Sequence, residues 1–265
     1  MDLSNATNTS YMFNECQSLR EISPVISAEN NEAADYMFQH SNYHGGSLPP
    51  VPKTAVTINM PKLTTANYMF WNFYGAEELF LNVPQLKQAS RMISGGVKKV
   101  TFTGTDLLEN AAYMLMGNDL EEIHGLTFNN ITSMSHMCDG AYNLHLKVES
   151  SSSKITAIES AFLRACAVEK VKIDTGSCTS INATFCCATF LRNVELTTMD
   201  KISYSTSNTS EAFAYACSLK YVIIRNMTKI PTINSNMVSN TFCKEEGAGF
   251  YVPDDYVDKL KTATN

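Results

Sequence analysis

The chain has 265 residues, of which 44% are hydrophobic and 17% are charged, and its formal net charge is −6 at pH 7. This composition is typical of an ordered protein rather than a disordered one. An acidic chain without a basic stripe gives no reason to expect nucleic acid as a partner. The sequence contains no apolar run of roughly 18 residues, so it encodes no membrane span, and its N-terminus shows no secretory signal.

A repeated apolar frame starts near the N-terminus. In residues 11–22 the apolar positions are Phe13, Cys16, Leu19 and Ile22. Copies of this frame begin near Phe13, Phe38, Phe70, Ile93, Leu115, Cys138, Phe162, Phe185, Phe213 and Phe242. Repeats of about two dozen residues are typical of solenoids, in which each turn contacts its neighbours. The sequence therefore predicts a single array of about ten turns over residues 1–265.

Two apolar periods follow one another within a copy. Spacings of three and four, as from Met12 and Phe13 to Cys16, predict a short helix with one apolar face. Polar clusters such as residues 8–10 precede these segments and predict caps for the helix N-termini. The period then falls to two, as at Leu79 and Leu81, which predicts a short strand with one buried side. Helix, strand and loop repeated in one direction predict an α/β solenoid, with a parallel sheet on one face and short helices on the other.

Two segments depart from this frame. Residues 40–52 include paired glycines and paired prolines and predict an irregular loop. At the C-terminus, residues 249–252 predict a strand, and residues 254–264 predict an amphipathic helix that caps the last turn. The N-terminus has no matching cap, so we expect the chain to be a segment of a longer protein.

The repeat sequence resembles a known family. The copies Tyr-Met-Phe-x-x-Cys-x-x-Leu-x-x-Ile near Phe13 and Ala-Phe-x-x-Ala-Cys-Ser-Leu-x-x-Val near Phe213 are similar to the BspA-like branch of bacterial leucine-rich repeats. The tail from Phe250 to Asn265 resembles the closing segment of such proteins. The resemblance covers nearly the whole chain and implies a leucine-rich-repeat solenoid. For function it implies a bacterial cell-surface protein of adhesion, and similar arrays occur in phage tail proteins.

The other chemistry-bearing residues do not form a recognisable site. His40 and His44 have a helical metal-ligand spacing, but the glycines and prolines that follow favour a loop, and a third ligand is missing. The eight cysteines include no Cys-x-x-Cys pair, so we expect them to serve as core residues. The sequence has no nucleophile elbow and no phosphate-binding glycine loop. We therefore predict no catalytic residue, no metal, no cofactor and no enzymatic activity.

The solvent side of the predicted sheet is where we expect a ligand. A residue between two buried strand positions points outward, and strands stack about 4.8 Å apart, so outward residues form two columns. The predicted ligand-binding residues are Lys99, Thr101, Glu122, His124, His145, Lys147, Lys170, Lys172, Glu195 and Tyr221. The remaining column members are Glu78, Phe80, Asn193 and Ile223. We expect Lys147, Lys170 and Lys172 to form a local basic patch with His145; the alternative is an ordinary solvated sheet face.

The predicted function is recognition or adhesion, in which a protein or glycan ligand binds the exposed sheet face or the loop at residues 40–52. This function implies an extracellular or cell-surface location. The alternative is a structural or receptor-binding segment of a phage tail protein, which would place the chain on the virion surface within a multichain assembly. The sequence does not determine the oligomeric state.

Overall fold

A computed structural model describes residues 3–19, 22–41, 54–117, 119–202, 209–228 and 235–257. Contacts divide the chain into two compact units, Met1–Asn130 and Ile131–Asn265. Of the loop predicted at residues 40–52, only His40 and Ser41 are described, and they lie in a turn; the rest, including His44, lies outside the described residues. The single array predicted over residues 1–265 stays a prediction.

The N-terminal unit contains two parallel sheets in its described part. Its strands are β1 (Val25–Ser27), β2 (Ala55–Asn59), β3 (Phe70–Phe73), β4 (Glu78–Asn82), β5 (Ile93–Gly95), β6 (Lys99–Thr103) and β7 (Glu122–His124). One sheet, the N-terminal sheet, has the order β1-β2-β4-β6-β7, and the other pairs β3 with β5. The N-terminal sheet forms because apolar and polar residues alternate: Leu79, Leu81 and Val100 are buried, whereas Phe80 between them is exposed.

The C-terminal unit contains one five-stranded parallel sheet, the C-terminal sheet, among its described residues. Its strands are β8 (Leu146–Glu149), β9 (Val168–Ile173), β10 (Asn193–Thr198), β11 (Tyr221–Asn226) and β12 (Gly249–Tyr251). They follow one another in the order β12-β11-β10-β9-β8. Val171, Val194 and Val222 stand side by side across the central strands and are buried. The strands that the period of two predicts are therefore present.

The predicted leucine-rich-repeat solenoid with short helices is wrong. The described residues form parallel strands and turns, with one helical turn at residues 254–257. The segments expected to be helical contain residues with left-handed backbones, which an α-helix excludes. In the copy at Phe13, these residues are Tyr11 (φ 62°) and Glu15 (φ 56°); in the copy at Phe185, they are Ala183 (φ 49°) and Cys187 (φ 58°).

Hydrogen bonds explain why a helix-like spacing occurs without a helix. The amides of Met12 and Asn14 donate to the carbonyls three residues earlier, at 3.2 Å. The intervening amide of Phe13 donates instead to the carbonyl of Met37 in the next copy, at 2.8 Å. Successive turns thus return apolar side chains to the interior every three or four residues, as a helix would. Unlike in a helix, every second amide donates its hydrogen bond to a carbonyl of the neighbouring copy.

Columns of apolar side chains form the core of each unit. In the N-terminal unit the ring of Phe38 stacks between Phe13 and Phe70, with centroid distances of 5.1 and 5.5 Å. In the C-terminal unit Phe185 stacks between Phe162 and Phe213, at 5.7 and 5.2 Å. Such pairs add to the hydrophobic stabilisation that burial supplies. The Phe position of the repeat is therefore a structural position.

The predicted capping helix is described only at its start. Residues 254–257 form a helical turn that follows Pro253, and the amide of Tyr256 donates to the Pro253 carbonyl at 2.9 Å. The remainder of the predicted helix, up to residue 264, lies outside the described residues.

Candidate functional site

The predicted ligand-binding residues divide between the outward faces of the two sheets. Lys99, Thr101, Glu122 and His124 lie on the N-terminal sheet, where β6 pairs with β7 and places Lys99 beside Glu122 and Thr101 beside His124. The Lys99 ammonium lies 3.2 Å from the Glu122 carboxylate, and His124 Nε2 lies 3.2 Å from the same oxygen. The hydrogen bond from Lys99, followed by that from His124, lowers the pKa of Glu122.

Phe80 lies at the centre of the N-terminal sheet face, with 40% of its surface exposed. Its register neighbours are Thr57 on β2 and Thr101 on β6. Along β4, its neighbours on the same face are Glu78 and Asn82. The sequence placed Phe80 in the outward column, but the predicted binding residues did not include it. The sequence feature that could have identified Phe80 as a candidate is an aromatic residue at a position where strand alternation points the side chain towards solvent.

An amide pair borders Phe80. The Asn82 Nδ2 group donates to Asn59 Oδ1 at 2.6 Å, across the β2–β4 pair. The Asn59 Nδ2 group donates in turn to Glu29 Oε1 at 3.0 Å. These contacts hold the amide planes in fixed positions beside the aromatic ring, so this part of the surface is pre-organised.

The other six predicted residues belong to the C-terminal unit, where the register differs from the expected one. The sequence pattern aligned Lys147 with Lys172, but β8 and β9 place Lys147 beside Lys170 and Glu149 beside Lys172. The cause is an irregularity between Leu146 and Lys147 in this strand pair. The extra residue on β9 leaves Glu169 and Lys170 as two successive unburied residues, after which alternation resumes with Val171 buried and Lys172 outward. The three lysines therefore stay on the outward side, but their neighbours change.

Carboxylates pair with all three lysines of the predicted basic patch. Lys170 Nζ lies 2.6 Å from Glu149, Lys147 Nζ lies 3.5 Å from Glu169, and Lys172 Nζ lies 3.1 Å from Glu195. The hydrogen bond between Lys170 and Glu149 raises the pKa of the lysine and lowers that of the carboxyl group. The face is thus a ladder of ion pairs rather than a basic patch. His145, immediately before β8, is exposed.

Glu195 is the centre of this ladder. The Arg225 guanidinium donates to both of its carboxylate oxygens, at 2.8 and 3.0 Å, and Lys172 contacts it from the other side. The hydrogen bond from Arg225, more than any other contact, lowers the pKa of Glu195 to about 2. Bidentate pairs of this kind fix geometry as well as charge. Arg225 was not among the predicted residues, and its position next to the buried Ile224 was the signal that it points outward.

Tyr221 lies at the aromatic end of the C-terminal sheet face. Its ring meets that of Tyr251 edge to face, with centroids 5.3 Å apart and planes at 73°. Tyr251 is 44% exposed, and the Lys220 ammonium lies 5.3 Å from the Tyr221 centroid. The C-terminal sheet face therefore combines paired charges on β8–β11 with two aromatic rings, one on β11 and one on β12.

A tyrosine ladder runs along the turns of the N-terminal unit. The rings of Tyr11, Tyr36 and Tyr68 stack face to face with centroids 4.7 Å apart in each pair. The Arg91 guanidinium continues the ladder, because it lies 3.9 Å from the Tyr113 centroid and donates to the Tyr68 hydroxyl at 3.0 Å. Burial, ahead of the neighbouring tyrosines, raises the pKa of Tyr36. Sequence reasoning missed this ladder, although the repeated Tyr-Met pair was its signal.

An ion-pair cluster joins two consecutive copies in the C-terminal unit. Asp139 is 5% exposed; one of its oxygens accepts from Arg164 Nη2 at 2.8 Å, and the other lies 3.1 Å from His136 Nδ1. The hydrogen bond to Asp139 raises the pKa of Arg164. Because a buried carboxylate is costly unless it is paired, this cluster is best explained by local structure.

The cysteines expected in the core and the candidate metal ligands differ in how the structure places them: Cys138, Cys178 and Cys186 are buried, whereas Cys217 is exposed. No group of three or more His, Cys, Asp or Glu side chains among them could hold a metal ion. Burial raises the thiol pKa values of Cys178 and Cys186 to about 12, which makes these thiols weak nucleophiles. In the same part of the chain, no helix has the length and apolarity needed to cross a membrane.

No protein-family model, no curated protein and no solved structure matches this chain. The resemblance of its repeat to BspA-like sequences therefore rests on the residues quoted above.

Proposed function

We propose that this protein is a non-enzymatic recognition module that binds a protein or glycan ligand through its exposed sheet faces. The observation that carries this proposal is that outward side chains on both sheets contact one another across strands. Glu122 is paired with Lys99 on the N-terminal sheet, and Glu195 is paired with Lys172 and Arg225 on the C-terminal sheet. Side chains that are already ordered lose less conformational entropy when a ligand binds.

Exposed ion pairs such as Lys170–Glu149 contribute little to stability, so apart from the less exposed Glu195 the ladder on the C-terminal sheet acts mainly on side-chain position. It leaves alternating charges in a fixed pattern beside the rings of Tyr221 and Tyr251. Tyrosine is enriched where proteins recognise ligands, because it supplies a large contact area together with a hydroxyl group. A recognition role of this kind is consistent with an extracellular or cell-surface location.

The test is a screen of the whole chain against protein and glycan arrays, followed by titration of any hit. Changing the three lysines to glutamate would bring like charges together, so Lys170→Gln and Tyr221→Thr are better probes of the C-terminal face. Phe80→Thr probes the N-terminal face. Tyr215→Asn is the control, since Tyr215 is 50% exposed but lies in a turn segment, and asparagine tolerates its left-handed backbone (φ 60°).

We expect at least one sheet-face variant to lose about tenfold in affinity, or about 1.4 kcal/mol, while Tyr215→Asn binds as the unmodified chain does. Equal affinity for all the variants, or loss in Tyr215→Asn alone, would overturn the proposal. The phage tail alternative requires assembly of several chains, and light scattering that shows a stable oligomer would favour it.

A further inference from the structure

The outward face of the N-terminal sheet forms a regular grid around Phe80. Strand pairing and alternation define its three rows as Ala55–Glu78–Lys99, Thr57–Phe80–Thr101 and Asn59–Asn82–Thr103. With strands about 4.8 Å apart and same-face residues about 6.6 Å apart along a strand, the grid spans about 10 by 13 Å. One exposed aromatic ring thus stands in the middle of hydroxyl, amide and carboxylate groups.

We propose that this grid is a binding site for a neutral glycan. The inference rests on the proposed recognition function and specifies the ligand class for one of the two faces. The face of an aromatic ring carries negative charge density, which attracts the weakly positive C–H groups on the apolar side of a sugar ring. The surrounding threonine hydroxyls and asparagine amides supply donors and acceptors for the sugar hydroxyl groups.

The distribution of apolar surface favours a glycan over a protein. A stable protein interface buries about 800 Å² on each partner, with a continuous apolar or aromatic core. On the described part of this face, the large exposed apolar side chains are Phe80 at 40% and Val25 at 56%. Thr57 lies between them in the register of β1, β2 and β4. An isolated ring within a polar surround suits a small amphipathic ligand.

The charges favour a neutral glycan over an acidic one. Lys99 is the cation within the grid, and it lies 3.2 Å from Glu122. His124, beside Thr101, also lies 3.2 Å from that carboxylate. A sulfate or uronate group would have to compete with Glu122 for Lys99 and His124, and it would meet Glu78 on the same row as Lys99. A ligand without charge avoids this competition.

The amide pair makes the site more selective. Asn82 donates to Asn59 at 2.6 Å, and Asn59 donates to Glu29 at 3.0 Å. The direction of these two hydrogen bonds determines, for each amide, whether its oxygen or its NH2 group faces the neighbouring side chain in the row Asn59–Asn82–Thr103. A sugar that is oriented by the ring of Phe80 therefore meets polar groups in a defined order, which is the condition for discrimination between hydroxyl configurations.

The experiment is a glycan array that carries neutral oligosaccharides of glucose, galactose, mannose and N-acetylglucosamine beside heparin and polyuronate fragments. Titration of the best hit then compares three variants with the unmodified chain. Phe80→Thr removes the ring and keeps a residue with high β-propensity, and Phe80→Tyr keeps the ring. Phe190→Thr is the matched control, because Phe190 is 66% exposed and lies in the C-terminal unit.

We expect a neutral oligosaccharide to bind and Phe80→Thr to weaken its binding at least about tenfold. Phe80→Tyr should stay within about threefold of the unmodified chain, and Phe190→Thr should bind unchanged. Circular dichroism and a melting curve verify that each variant folds. If Phe80→Thr fails to fold, Thr101→Arg, which places a long side chain beside the ring, should cause the same loss.

The other outcomes separate this inference from the proposed function. A preference for heparin or polyuronate, or unchanged binding by Phe80→Thr, would overturn the inference and leave the recognition function standing. Binding to proteins alone would do the same. The absence of any hit on both the glycan and the protein arrays would overturn both proposals.

Discussion

Replacing Ala183 with glycine distinguishes the turns of this fold from the helices that the apolar spacing predicts. Ala183 has a left-handed backbone, with φ of 49°, and a residue with a Cβ atom in that region costs about 1–2 kcal/mol. Glycine removes this cost, but it also makes the unfolded chain more flexible, which lowers the stability of the fold by about 0.4–1 kcal/mol. The net expectation is stabilisation by about 0.5–1 kcal/mol. In a helix interior the same change would instead destabilise by about 1 kcal/mol.

Ala112→Gly is the matched control. Ala112 is half-buried like Ala183, belongs to a segment with the same apolar spacing, and does not have a left-handed backbone. The turn structure therefore predicts that Ala112→Gly destabilises by about 0.5–1 kcal/mol, opposite in sign to Ala183→Gly. Both free energies of unfolding can be measured by urea denaturation followed by circular dichroism.

A helix at both positions would make the two substitutions alike. If Ala183→Gly loses as much stability as Ala112→Gly, the left-handed turn is absent and the account of the repeat is wrong. The contrast between the two variants does not depend on the total stability of the protein, since each variant is compared with the same unmodified chain.

Three further predictions concern buried and paired groups. Asn31→Leu should stabilise the fold by about 1 kcal/mol in urea denaturation, because Asn31 is fully buried and its Oδ1 atom accepts no hydrogen bond from the described residues, which costs about 1–3 kcal/mol. Leucine also gives up the hydrogen bonds that Nδ2 donates to the Ala33 carbonyl at 3.1 Å and to Met60 Sδ at 3.4 Å, and the first of these is worth about 0.5–1.5 kcal/mol; a loss of stability would show that these bonds outweigh the unpaired oxygen. Phe185→Ala should destabilise by about 3–5 kcal/mol, since its buried ring stacks on two others; a loss below about 1 kcal/mol would contradict the stacked column. The depressed pKa of Glu195, about 2 against an ordinary 4.5, should stabilise the fold above pH 4.5 and lose this effect as the pH falls towards 2. In Glu195→Gln the free energy of unfolding should therefore lack this part of its dependence on pH. Identical acid-unfolding profiles for Glu195→Gln and the unmodified chain would refute the pairing of Glu195.

The strands could be predicted from the sequence because their signal is local. Residues such as Leu79 and Leu81 alternate with outward residues, and burial of one side of a strand requires this alternation. The turns could not be predicted in the same way, because a helix and a series of turns both return apolar residues every three or four positions. The positive φ of Tyr11 and Ala183 could not be predicted from the sequence, because neither position holds a glycine, the residue type that normally indicates a left-handed backbone.

The candidate site was predictable as a surface but not as a set of contacts. Alternation correctly turned Lys147, Lys170 and Lys172 outward. Their neighbours depend on the register between β8 and β9, which shifts after Leu146 because β9 has an extra residue there, so that Glu169 and Lys170 are two successive unburied residues. Glu149 and Glu169 therefore pair with lysines that the sequence alone had grouped as a basic patch.

The most direct test of the recognition account is a titration of the array-identified ligand into three proteins. These are the unmodified chain, a sheet-face double variant (Phe80→Thr with Tyr221→Thr), and a turn-segment double variant (Tyr11→Asn with Tyr215→Asn), in which asparagine tolerates the left-handed backbones of both positions. Tyr11 and Tyr215 are 58% and 50% exposed, so the second variant removes comparable exposed aromatic surface away from the sheets. We predict that the sheet-face variant loses at least about tenfold in affinity and that the turn-segment variant does not. Loss of binding in the turn-segment variant, with the sheet-face variant unchanged, would contradict the account.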